Sequence, residues 1–126
     1  MRRTLAAAAV QWVLLAPAAV AAADGALSEL MQTLSGAVEA LDSNVALKEA
    51  KAGAAEARRV EDLLRDAEAR FGRDDAGADA AGLARKSQGL AAEVRRSLEA
   101  EDYEAASGAL GSLVRSCEAC HQAHRR

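Results

Sequence analysis

Apolar residues recur at intervals of three and four along nearly the whole chain beyond residue 24. Nowhere do they alternate with the two-residue period of a half-buried strand. That restricts the fold to packed helices. Leu27, Leu30, Met31, Leu34, Val38 and Leu41 form the stripe of a first helix, and Asp42-Ser43-Asn44 supplies the small polar residues of a turn. A second pattern runs through Leu47, Ala50, Ala54, Ala57, Val60, Leu64, Ala67 and Phe71, with Arg58-Arg59 and Glu61-Asp62 as its solvated face. Glycines and aspartates break the periodicity from Gly72 to Asp79. A third helix reads through Leu83, Leu90, Ala91, Val94 and Leu98, with Arg95-Arg96 as another solvated pair. Glu101-Asp102 marks the next turn, with Asp102 as N-cap, and the fourth helix carries Ala106, Leu110, Leu113, Val114, Cys117 and His121 on one side. Four helices of similar length with short connections predict an all-α fold, an antiparallel four-helix bundle.

The first 23 residues are set apart from this bundle. Arg2-Arg3 precede an apolar run from Leu5 to Ala23 that ends in small residues, the pattern of a secretory signal peptide cleaved near Ala23. Pro17 and the lack of a charged stop-transfer flank argue against a retained membrane anchor. The expectation is therefore an exported, periplasmic domain over residues 24–126. Removal of Arg2 and Arg3 leaves 14 basic against 19 acidic residues, a net charge of −5, which argues against nucleic acid as a partner. Trp12 leaves with the same segment, so Phe71 and Tyr103 are the remaining aromatics. Alanine dominates the apolar stripes, and the core that such side chains build alone is thin. An embedded apolar cofactor would supply the missing bulk.

The chemistry is concentrated in Ser116-Cys117-Glu118-Ala119-Cys120-His121-Gln122-Ala123-His124-Arg125-Arg126, which holds both cysteines and both histidines. Cys-x-x-Cys-His is the attachment pattern of c-type haem: two thiols add across the porphyrin's vinyl groups and the following imidazole reaches the iron. Export meets the requirement that attachment occur outside the cytoplasm. A thioredoxin-type pair would open a helix after a strand, where the helix N-terminus stabilises a thiolate, whereas this pair closes a helix. Zinc held by Cys117, Cys120, His121 and His124 has suitable ligand types. On a continuous helix, however, the ends of that set are separated by roughly 10 Å, too far for one tetrahedral ion.

With this motif at the end of a fourth helix, the chain resembles the class II c-type cytochromes, the cytochrome c prime family and its low-spin, methionine-ligated relatives. The likeness rests on Ser116-Cys117-x-x-Cys120-His121-x-x-His124-Arg125, and His124 stands where the family usually has an aromatic. The resemblance implies one covalent haem on Cys117 and Cys120, His121 as proximal ligand, Arg125 near the haem edge, and a distal residue from the first helix. It also suggests a homodimer through the first two helices, although the alanine-rich stripes fit a tight monomer equally well.

The distal residue decides the function within such a family. Met31 is the one methionine beyond the signal segment, and it lies on the first helix's apolar stripe. In an up-down-up-down bundle the start of the first helix lies level with the end of the fourth, at the height of His121. Met31 as iron ligand predicts a low-spin electron carrier rather than an enzyme. As a core filler it would leave Leu27, Leu30 or Leu34 facing an open, five-coordinate iron that binds nitric oxide or carbon monoxide. The redox partner has no signature in the sequence.

Overall fold

The computed structural model describes residues 16–73 and 77–124, with side chains from Gly25 onward. Every element among them is helical: α1 (Ala16–Ala46), α2 (Ala50–Phe71), α3 (Ala78–Glu99) and α4 (Tyr103–Ala123). The four helices pack against one another as a bundle. Ion pairs show the antiparallel run of α2 and α3, because partners descend one helix as they climb the other: Arg58–Glu99, Glu61–Arg95 and Glu68–Arg85.

All four helices contribute to one core, in which Leu41, Val60, Val94, Leu98 and Leu113 are fully buried. Burial of each leucine contributes about 2 kcal/mol. Between them Ala57, Ala91 and Ala106 lose all exposure, which lets the helix backbones approach closely. The approach leaves no room for a side chain at Gly53, where an added Cβ would lie 2.8 Å from Leu98 Cδ1. Packing is extensive between α2 and α3, between α3 and α4, and between α1 and α2, whereas α1 and α4 touch sparsely.

The turn expected at Asp42-Ser43-Asn44 lies instead at Leu47-Lys48-Glu49. Asp42 and Ser43 are exposed on the outer side of α1, where a helix tolerates them, and Val45 is drawn into the core, so the helix continues past them. Leu47, expected on the second stripe, is 69% exposed in the turn. Asp79, expected in the long loop, belongs to the first turn of α3. Residues 74–76 of that loop lie outside the described residues. Asp102 is the N-cap expected of it: its carboxylate accepts a hydrogen bond from the Ala105 N–H at 3.0 Å.

The turns from α1 to α2 and from α3 to α4 are built alike. Lys48 and Glu101 adopt left-handed φ values of 56° and 54°. In the first turn Glu49 N–H donates to Asn44 O and Lys48 N–H to Val45 O. In the second, Asp102 N–H donates to Ser97 O and Glu101 N–H to Leu98 O. Each is a Schellman cap that satisfies the last carbonyls of its helix.

The backbone of α1 is already helical at Ala16 and runs on through the expected cleavage point near Ala23. Residues 1–15, which hold Arg2, Arg3 and much of the expected signal peptide, lie outside the described residues. Among the described residues no helix is long and apolar enough to cross a membrane.

Candidate functional site

The apolar stripe of α4 runs through Ala106, Leu110 and Leu113 and meets Cys117 one turn later. Cys117 is half-buried against the central core, and Cys120, three residues on, is half-buried too. Both thiols are free. Burial pushes the Cys117 thiol above its ordinary value, and the neighbouring Cys120 and Glu118 add to the rise. Burial alone raises Cys120. The helix stays continuous beyond them, and the His124 N–H donates to Cys120 O at 3.0 Å.

His121 and His124 are exposed. Val114, expected on the apolar side, is also exposed. Arg125 lies outside the described residues.

Met31 sits half-buried on α1 and touches two groups of side chains. One is the central core, which Cys117 also touches. The other is a smaller cluster of Leu30, Ala67 and Ala84, flanked by the half-buried Leu27, Leu63 and Phe71. The structure thus brings Met31 and Cys117 against one shared core, and His121 is exposed. Leu34, a rival distal residue, is a buried member of the central core, and Leu27 and Leu30 belong to the smaller cluster.

Behind Cys117 lies a feature that the periodicity reading passed over. Ser116 and Ser87 are buried, and their hydroxyl oxygens stand 2.8 Å apart between α4 and α3. Ser87 falls on the stripe of Ala84, Ala91 and Val94, so a small polar residue at an apolar register position was the available signal. The charged pairs taken as solvated faces also do more than meet water. Glu61 and Arg95 are partly buried and bridge α2 to α3.

Two alternatives lose ground on this geometry. A continuous helix through Cys117, Cys120, His121 and His124 keeps the ends of that set apart, and among the described residues no three His, Cys, Asp or Glu side chains converge as a metal site. A disulfide-exchanging pair needs a thiolate, and burial drives both thiols the other way.

Comparison of the chain with protein-family models, with curated proteins and with solved structures gives no match.

Proposed function

We propose that this chain is an exported, periplasmic monohaem cytochrome c of the class II type, an electron carrier with haem held by Cys117 and Cys120 and iron held by His121 and Met31. The observation that carries the reading is the Cys117-x-x-Cys120-His121 run in the last turns of the fourth helix of an all-helical bundle. The donor set fits the group. Two free thiols about one helical turn apart match two vinyl carbons, and the imidazole of His121, exposed on the next turn, is open to a metal. Leu27, Met31, Leu63 and Phe71 are half-buried apolar side chains at this end, and α1 meets α4 sparsely, so an apolar body inserted there gains contacts.

Haem supplies a one-electron couple when bound. The chain's own part is to attach it through two sulfurs, to offer the His121 nitrogen and the Met31 sulfur to the metal, and to keep water from its apolar side with Leu27, Leu30 and Leu63. A thioether ligand raises the potential and closes the metal to gases, which suits outer-sphere electron transfer.

Haem staining after denaturing electrophoresis of the exported protein tests attachment, because covalent haem survives denaturation. A positive band and a low-spin absorption spectrum that changes in Met31→Ala are the expected results. An unstained, colourless protein would overturn the reading. The gas-binding alternative is favoured by one observation: Leu27 and Leu30 share the cluster that Met31 touches, so an apolar side chain is at hand for the distal role. It predicts a high-spin ferrous protein that takes up carbon monoxide readily and is indifferent to Met31→Ala.

A further inference from the structure

The buried stripe of α4 ends in a polar contact. After Ala106, Leu110 and Leu113 the next buried position is Ser116, 6% exposed, whose hydroxyl oxygen lies 2.8 Å from that of Ser87 on α3, 2% exposed. One hydrogen lies between the two oxygens. The other can turn to a carbonyl one turn back in its own helix, as buried helical serines do.

Around Ser87 the buried face of α3 is made of alanine: Ala80, Ala81, Ala84 and Ala91. Methyl groups attract without direction, so a helix resting on them turns or slides easily. A hydroxyl pair has direction. It needs an oxygen separation of about 2.5–3.0 Å, and a shift of one residue, roughly 1.5 Å of rise and 100° of rotation, breaks it. The same turn of α3 is also tied to α2: Arg85 Nε lies 2.7 Å from Glu68 Oε1, and Gln88 Nε2 donates to Glu68 Oε2. Directional contacts thus link α2, α3 and α4 at one level, and Cys117 is the residue that follows Ser116. Two apolar groups of the same shape would serve stability nearly as well as the bonded hydroxyls, whereas a single hydroxyl left behind is costly.

We propose that the Ser87–Ser116 pair is the register lock of α4: it fixes the rotation of the last turns against α3, and with it the directions in which Cys117 and Cys120 leave the helix. With Ser116 facing α3, the helical repeat sets Cys117 about 100° and Cys120 about 40° around the axis from it. The lock stands without the haem reading above. Its use, presenting both sulfurs to one porphyrin edge, rests on that reading.

The lock is tested in the full chain produced without haem and kept reduced, by iodoacetamide labelling of Cys117 and Cys120 read separately by peptide mass spectrometry. Cys117 packs against the central core, so in the parent it is expected to label more slowly than Cys120, nearer the helix end. Ser87→Ala combined with Ser116→Ala is expected to draw the two rates together several-fold while the urea midpoint stays at the parent's. Equal rates in the parent, or an unchanged ratio in the double variant, overturn the lock. A double variant that fails to fold, or whose urea midpoint falls well below the parent's, also overturns it, because the pair then serves stability alone. Ser87→Thr keeps a hydroxyl at the contact and is expected to keep the parent ratio, and loss of the ratio there overturns the role of the hydroxyl. In the exported chain the double variant is expected to carry several-fold less covalent haem per protein than the parent. Parent-like loading with an altered labelling ratio overturns the part played in attachment. An unstained parent overturns the haem reading, while the labelling ratio still decides the lock.

Discussion

Arg95 Nε on α3 lies 2.7 Å from Glu61 Oε2 on α2, and the same guanidinium reaches Glu99 one turn along its own helix. The hydrogen bond to Glu61 holds the Arg95 pKa above its ordinary value, with the charge of Glu61 adding to the effect. With both side chains mostly covered, this pair exceeds an ordinary surface ion pair and contributes about 1 kcal/mol. A double-mutant cycle of Arg95→Met and Glu61→Gln in urea is expected to show a coupling of that size. The exposed Arg65–Asp62 pair is expected to show almost none.

Glu68 gives the fold a dependence on acid. Its carboxylate accepts hydrogen bonds from Gln88 and Arg85 of α3, and these hold its pKa below the ordinary value of 4.5, Gln88 having the larger effect. A folded-state pKa below the unfolded one adds stability that is present above the unfolded value and lost as pH falls through the folded value. The urea midpoint of the parent chain is therefore expected to drop more steeply below pH 4.5 than that of Glu68→Gln. Parallel curves for the two proteins would contradict this.

Glycine positions separate helix propensity from packing. Gly89 lies exposed within α3 with nothing within 4 Å of a built Cβ, so Gly89→Ala is expected to stabilise by about 1 kcal/mol. At Gly53 the same methyl would press on the fully buried Leu98 at 2.8 Å and on Asn44 Cβ at 3.3 Å. Gly53→Ala is expected to destabilise by about 1–3 kcal/mol despite its better propensity. Thermal unfolding of the two variants checks the opposite signs.

The twin turns predict unequal gains from one substitution. Glycine removes the steric cost of a left-handed residue, so Glu101→Gly is expected to stabilise by about 1 kcal/mol. Lys48→Gly gains less, because Lys48 Nζ stands 5.9 Å from the centre of the Tyr103 ring and that attraction is lost. Chemical denaturation of both variants gives the order.

Spacing made the helices legible because an apolar stripe at three and four residues is a direct statement about which face is buried. Leu30, Leu34 and Leu41 on α1 and Leu110 and Leu113 on α4 follow it without exception. Boundaries were less legible. Asp42 and Ser43 have turn chemistry, but a single buried side chain at Val45 outweighs them, and nothing local to 42–44 reveals that the core reaches so far. Partner choice was not legible at all: Glu61, Arg95, Glu68 and Arg85 look like solvated charges until two helices are set side by side. At the candidate site the attachment motif was legible from residue order alone, whereas Ser87 is 29 residues from Ser116 and meets it only through the packing of α3 on α4.

The sparse meeting of α1 and α4 has a kinetic side. Extensive packing joins helices that follow one another along the chain, so most of the fold can form by closing short loops, and the widest closure, between the first helix and the last, comes with little reward. Such a topology favours rapid collapse of α2, α3 and α4, with docking of α1, which packs extensively on α2 alone, as the step most easily undone. In hydrogen exchange, the amides of α1 would then open at lower free energy than those of α3, which is flanked on both sides.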